Sequence, residues 1–264
     1  MKTYTTEDLK IRTEFWNGRW QAAEIPSHDV ARIQKILELI PNDVDTILDV
    51  GCGDGRVTNA LFHHYPFVIG VDISTAGLGK VQPKTICGSS TTLPFRDNTF
   101  DLVLCGQVLE HLDDLSLDST MSELMRVSRR YVLVDVPYQE NLEFGMVRCD
   151  KCLSVFHGSL HLRSFSKESL KNCFAGKSNI IRCELSGKGN RQYSSVFLTK
   201  LNRLFTGYYS YWHRNLRCPI CGNPEILRKR ARENPLSFAL VGLNRLLSTI
   251  IQAKARYCHV LFQK

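Results

Sequence analysis

This sequence predicts a doubly wound α/β fold. Two observations carry the expectation: short apolar runs that close on an acid, and a glycine-dense turn directly behind the first of them. Residues 46–50 read Thr-Ile-Leu-Asp-Val. Ile47, Leu48 and Val50 suit a strand buried on both faces of a parallel sheet. Gly51, Gly53 and Gly55 follow at alternating positions. Glycine there lets the backbone turn tightly and approach a ligand where a β-carbon would collide. The second run, Phe-Val-Ile-Gly-Val-Asp over 67–72, ends in Asp72 one helix downstream. In a doubly wound sheet the strand ends converge on the crevice where ligands bind. An acid closing the second strand can accept hydrogen bonds from both hydroxyls of a ribose.

Two more segments follow in order. Residues 88–101 run Gly-Ser-Ser-Thr-Thr-Leu-Pro-Phe-Arg-Asp-Asn-Thr-Phe-Asp, and 100–112 run Phe-Asp-Leu-Val-Leu-Cys-Gly-Gln-Val-Leu-Glu-His-Leu. Together, 46–112 resemble the class I S-adenosylmethionine (SAM)-dependent methyltransferases, in particular the type 11 group of small-molecule enzymes. A nicotinamide site is the rival, but its Gly-x-Gly-x-x-Gly fingerprint requires a glycine where this chain has Arg56. The resemblance implies a Rossmann-like, mostly parallel seven-stranded sheet with an antiparallel edge, and SAM as cofactor. It also implies the binding residues. Asp49 and the loop Gly51–Cys52–Gly53 would hold the methionine end, and Gly55 would admit close helix packing. Asp72 would take the ribose hydroxyls, with Ile73 against the adenine. Ser89 and Ser90 would lie at the adenine edge, Ser89 standing where relatives commonly carry an acid. Gln107 would lie beneath the methionine moiety or the transferring methyl.

Methyl transfer from a sulfonium needs positioning and exclusion of water; a hydroxyl acceptor can also need a general base. Two histidines are candidates. His111 follows the fourth strand, and His161, in His-Leu-Arg-Ser-Phe, precedes a helix where relatives bring a histidine toward the acceptor. Neutral imidazole, with an unperturbed pKa of about 6.5, can take such a proton. The alternative for His111 is a structural place at a helix start. Arg163 could pair with an acidic substrate group or simply form a surface ion pair.

Residues 1–45 are expected to form a helical lid carrying Tyr4, Phe15, Trp16 and Trp20, with a helix over 29–40; 46–200 form the SAM-binding domain, with an insertion at 139–160; 201–264 form an extension. A helix is expected over 122–130, a fifth strand over 131–138, a segment 162–170 that leads into another helix, and an antiparallel strand pair from 179–185 and 193–199. An amphipathic helix is expected over 236–257. The insertion carries Cys149-Asp-Lys-Cys152, and the extension Cys218-Pro-Ile-Cys221-Gly222. Two such knuckles supply the four soft ligands of a structural Zn²⁺, provided the halves meet across the fold.

The 264 residues are 43% hydrophobic and 23% charged, as expected of a globular protein. No apolar run reaches the ~18–20 residues that cross a bilayer, and the first residues lack a signal-peptide core. Ten cysteines without an export signal point to reduced thiols and metal, so a cytoplasmic location is expected. The net charge of +8 is consistent with an acidic partner. Three functions remain open: methylation, through oxygen, of a small molecule, glycan or lipid; tRNA or rRNA methylation, for which the aromatic and basic residues of 208–217 are the sequence signal; and a binding module without catalysis. The basic run 228–232 before the last helix also allows peripheral membrane contact over 228–257.

Overall fold

A computed structural model describes residues 6–20, 27–176, 178–188, 195–207, 216–224, 234–250 and 255–264. Tyr4, the aromatic and basic residues of 208–215 and the basic run 228–232 lie outside the described residues. Two helices come first, α1 (Thr6–Trp20) and α2 (Ser27–Leu39). Strand–helix alternation follows: β1 (Thr46–Val50), α3 (Arg56–Phe62), β2 (Phe67–Asp72), α4 (Thr75–Leu78), β3 (Lys84–Cys87), β4 (Phe100–Gly106), α5 (Asp114–Val127) and β5 (Ser128–Pro137). A small antiparallel ribbon, β6 (Met146–Arg148) with β7 (Val155–His157), precedes α6 (Lys167–Cys173) and β8 (Asn179–Lys188). The chain ends with α7 (Val196–Thr206), α8 (Pro235–Ile250) and β9 (Ala255–Gln263).

Seven strands form one sheet in the order β3-β2-β1-β4-β5-β9-β8. β9 is antiparallel to both of its neighbours, and the pairs among β1–β5 are parallel. This is the mostly parallel, doubly wound sheet with an antiparallel edge that the sequence predicts. Alternation along β1 divides the core. Leu48 and Val50 pack with Leu117, Met121 and Leu124 of α5 on one face. Ile47 packs with Ile36 and Leu39 of α2 and Leu61 of α3 on the other. A third cluster joins Phe15 of α1 to Val147, Cys149, Phe156, Leu216 and Cys218.

Three element expectations are corrected. The helix expected over 122–130 is the second half of α5; it stops at Val127 because Ser128 already pairs with Phe100 as β5 begins. The strand expected over 193–199 is a helix from Val196, capped by the Ser195 hydroxyl, which accepts a hydrogen bond from the Leu198 amide at 3.3 Å. Residues 193 and 194 lie outside the described residues. Of the helix expected over 236–257, residues 236–250 lie in α8, 251–254 lie outside the described residues, and Tyr257 belongs to β9, which supplies the antiparallel partner of β8. The last segment of the chain is therefore an inner strand of the main sheet as well as a helical extension.

A buried polar chain ties this antiparallel edge to the rest. The Arg32 guanidinium donates to Asp135 Oδ2 at 2.5 Å, His259 Nδ1 lies 3.3 Å from Asp135 Oδ1, and His259 Nε2 is 2.6 Å from the Ser186 hydroxyl. Desolvation holds the His259 imidazole below its ordinary pKa, against the opposing pull of Asp135. Among the described residues, no helix is long and apolar enough to cross a membrane.

Candidate functional site

The glycine turn sits at the carboxyl ends of β1 and β2. Gly51, Gly53 and Gly55 all have positive φ, of 78°, 54° and 81°, a region that glycine enters without strain. The amides of Gly51 and Cys52 both donate to the Val71 carbonyl, at 2.7 and 3.1 Å. A β-carbon on Gly51 would fall 2.1 Å from Val108 Cγ2. Asp72 closes β2 as predicted, and its carboxylate accepts from the Gly53 amide (Oδ2, 2.8 Å) and the Ser74 amide (Oδ1, 2.8 Å). The acid therefore fixes the loop and keeps lone pairs for further donors. Burial raises its pKa, against the lowering pull of those amides. Asp49 is buried, accepts from the Thr58 hydroxyl at 2.7 Å, and is pushed up to about 6, chiefly by desolvation.

The remaining expected cofactor residues are placed less uniformly. The Cys52 sulfur is directed at Gly70 of β2, where an added β-carbon would meet it at 2.8 Å, so this thiol packs into the sheet. Ile73 is half-buried just after β2. The Ser89 hydroxyl pairs with Thr91 Oγ1 at 2.8 Å and that of Ser90 with Thr120 Oγ1 at 2.9 Å. Gln107 follows β4 with φ 58°, an uncommon value for a residue with a side chain, and its amide donates to the Asp135 carbonyl at 2.7 Å. Its side-chain nitrogen lies 3.3 Å from Asp135 Oδ2. The buried polar chain behind the sheet thus ends at this turn.

Helix α1 lies across the loop. Trp20 Cζ2 would be 2.6 Å from a β-carbon on Gly53, and the Trp20 indole also touches the face of Gly77. Asn17 Oδ1 accepts from the Ser74 hydroxyl at 2.7 Å, and Lys80 donates to the Trp20 carbonyl. Trp16 stacks on Trp20 (centroids 5.9 Å apart, 21° between planes) and stands edge-on to His111 at 4.8 Å.

Both predicted histidines are brought together there. The His111 and His161 rings lie 4.7 Å apart, and His161 stacks on His157, also at 4.7 Å. His111 belongs to a single 3-10 turn, Leu109–His111. Its Nδ1 is 3.4 Å from the Leu160 carbonyl, and the Leu162 amide donates to the Glu110 carbonyl at 2.7 Å, so backbone pairing holds the two segments side by side. His161 Nδ1 is bonded to Glu140 Oε2. His157 Nδ1 accepts the amides of Ser159 and His161, each at 3.2 Å, which fixes the turn that presents His161. Burial lowers the His157 pKa to about 4 and keeps it neutral.

Two acids went unread in the sequence. Glu140 falls inside the expected insertion 139–160, close behind the end of β5. Glu110 adjoins His111 and is 1% exposed, and burial pushes its carboxyl well above the usual range. Adjacency to His111 was the available signal. Arg163 donates to the Leu112 carbonyl and Asp114 Oδ1, at 2.8 and 2.9 Å, the second a surface ion pair.

The two Cys-x-x-Cys pairs meet across the fold. Cys149 Sγ is 3.6 Å from Cys221 Sγ, Cys152 Sγ is 3.6 Å from Cys218 Sγ, and all four sulfurs lie within 4.8 Å of one another.

Residues 48–132 match the family model described as a methyltransferase domain. An uncharacterized protein of Methanocaldococcus jannaschii is 28% identical over 140 residues, which are 53% of this chain and 61% of that protein. The human mitochondrial ubiquinone biosynthesis O-methyltransferase is 23% identical over an alignment of 261 residues, covering 88% of this chain and 66% of the relative. This chain thus spans less than two thirds of the length of either curated relative. A SAM-dependent methyltransferase structure from Archaeoglobus fulgidus superposes with a TM-score of 0.52 at 14% identity, over 88% of this chain and 91% of that one.

Proposed function

We propose that this chain, whose residues 48–132 match a methyltransferase domain model, is a class I SAM-dependent methyltransferase that transfers the methyl group of SAM to a hydroxyl on a small-molecule, glycan or lipid acceptor. The observation that carries the acceptor side is the His111–His161 pair beneath Trp16, with His161 held through Nδ1 by Glu140. The human relative is an O-methyltransferase, which supports oxygen as the methyl acceptor atom.

The sulfonium donor is already activated, so the chain's own residues orient it and exclude water. Ionised Asp49 holds the cofactor's ammonium, the glycine loop lets the methionine end lie close to backbone, and Asp72 accepts from the ribose hydroxyls. Ile73 packs on the adenine, with Ser89 and Ser90 at its edge and Gln107 beneath the methionine moiety. Trp20 and Trp16 form the lid. On the acceptor side, the Nδ1 proton of His161 faces Glu140, which leaves Nε2 with its lone pair for a hydroxyl proton. A lipid is favoured among the three acceptor classes by one surface. Helices α7 and α8 expose Val196, Phe197, Leu204, Phe205, Leu236, Phe238, Leu243 and Leu246. These helices carry no acid and also hold Lys200 and Arg245, while Arg203 is paired with Glu143 at 2.6 Å; basic groups beside exposed apolar ones suit anionic membrane surfaces.

The four cysteines are assigned to a structural Zn²⁺. Zn–S bonds of about 2.3 Å in a tetrahedron place sulfurs about 3.8 Å apart, and the 3.6 Å pairs fit that set. A closed four-sulfur site leaves no open position, so its work is to staple residues 149–152 to 218–221.

Calorimetric titration with S-adenosylhomocysteine tests the proposal. One-to-one binding with micromolar affinity is expected. No binding to a folded, zinc-replete protein would overturn it in favour of a non-catalytic binding module.

A further inference from the structure

We propose that the outer face of α7 and α8 docks this protein on an anionic phospholipid bilayer. The docking stands on that surface alone; its use, to bring a lipid acceptor to the site, rests on the methyl-transfer reading above.

For helices that face water, this pair is inside out. On α7 the buried side chains are Asn202 and Thr206, which bond to each other, the Thr206 hydroxyl lying 2.9 Å from Asn202 Oδ1. On α8 Ser237 is buried. Phe197, Leu204 and Phe205 of α7 are instead 69%, 64% and 70% exposed, and Leu236, Phe238 and Leu243 of α8 are exposed with them. A surface helix in water buries its apolar stripe and exposes its polar one. An exposed apolar face of this kind marks a contact surface.

The pair is also fixed in that orientation. The two helices pack on each other, with the Asn244 amide donating to the Thr199 hydroxyl at 3.3 Å. Arg203 ties α7 to Glu143 at 2.6 Å. Glu143 is three residues from Glu140, which holds His161, so one short segment carries both the docking helix and the acceptor-side acid.

Charge decides what covers the face. Residues 196–250 contain nine lysines and arginines against two glutamates, so this stretch carries +7 of the chain's net +8. Lys200 is exposed and lies one turn from both Val196 and Leu204. Its stem can follow those apolar neighbours while its ammonium reaches headgroup phosphates. Leucine and phenylalanine enter the acyl boundary beneath the basic groups. A second copy of the chain would set like charges against one another. RNA would meet the charges and leave the leucines uncovered.

Sedimentation of the full, zinc-replete chain with vesicles is the test. The protein should pellet with equimolar phosphatidylcholine and phosphatidylglycerol, and not with phosphatidylcholine alone. Phe205→Ser should lower the partition coefficient roughly tenfold, and Lys200→Glu by roughly tenfold or more. Both should keep the wild-type melting temperature, because the side chains are exposed. If Phe205→Ser melts early, Phe197→Ser decides in the same way. No pelleting with the anionic vesicles, equal pelleting with phosphatidylcholine alone, or a Phe205→Ser protein that pellets like wild type overturns the proposal. Without vesicle binding, a dimer abolished by Phe205→Ser assigns the face to a second copy, and RNA binding abolished by Lys200→Glu assigns it to RNA; each overturns the bilayer. Titration of the same samples with S-adenosylhomocysteine separates the two readings. Cofactor binding without vesicle binding rejects only the docking, and vesicle binding without cofactor binding rejects only methyl transfer.

Discussion

Asp49 is a carboxyl whose burial and role pull in opposite directions. Desolvation raises it to about 6, so the fold favours its protonated form. The stability it contributes is fully present below the unfolded value near 3.8 and is lost as pH rises through about 6. Holding an ammonium demands the ionised form. Affinity for S-adenosylhomocysteine is therefore expected to fall below about pH 6, approaching tenfold per pH unit, and Asp49→Asn should flatten that profile. A wild-type affinity independent of pH between 5 and 7 (roughly one unit either side of the shifted value) would remove Asp49 from the cofactor's ammonium. Gly51 is constrained by space as well as by φ. Gly51→Ala drives a β-carbon against Val108 at a positive φ and should cost about 1–3 kcal/mol, read by thermal unfolding. Adding Val108→Ala should restore part of that loss, because the clash is with its γ-carbon.

Helix α1 gains its place by packing on other elements. Trp20 covers Gly53 and Gly77, and Phe15 enters the cysteine-side core, so one helix bridges the cofactor loop and the cysteine cluster. Trp20→Ala is expected to weaken S-adenosylhomocysteine binding roughly tenfold, the value of one desolvated aromatic contact, with a smaller effect on unfolding. Unchanged affinity would show that α1 is a structural brace and not a lid. Strand β9 has a different importance. Tyr257, Cys258, His259, Val260, Leu261 and Phe262 are all buried between β5 and β8. A chain truncated after residue 254 should lose its cooperative transition in circular dichroism, since β8 would lose its strand partner. A cooperative transition near the wild-type temperature would refute the sheet order.

At the scale of the whole molecule, the cysteine cluster joins segments more than sixty residues apart. A metal that binds only the assembled site adds its binding free energy to folding. Chelator should lower the wild-type melting temperature, and Cys218→Ser should show the lower value with or without chelator. Equal melting temperatures for all four samples would mean that the cluster carries no structural metal.

The sequence by itself determined what is local and periodic. A glycine-rich turn needs its glycines at fixed spacing, a buried parallel strand needs its apolar run, and a Cys-x-x-Cys knuckle needs both thiols within one turn. Gly51, Gly53, Asp72 and the four cysteines were legible for that reason. Tertiary structure decided the rest. Residues 255–263 carry no clear alternation because β9 lies inside the sheet with both faces covered, and they follow directly on a helical pattern. Residues 196–199 alternate over too short a window to oppose a serine cap and eleven residues of helix. Nothing in the sequence marks Glu110 or Glu140 as buried, because a charge becomes chemically unusual only when folding removes its water. Burial and the meeting of distant segments are properties of the assembled chain, and they placed two carboxylates beside the histidines that the sequence had already singled out.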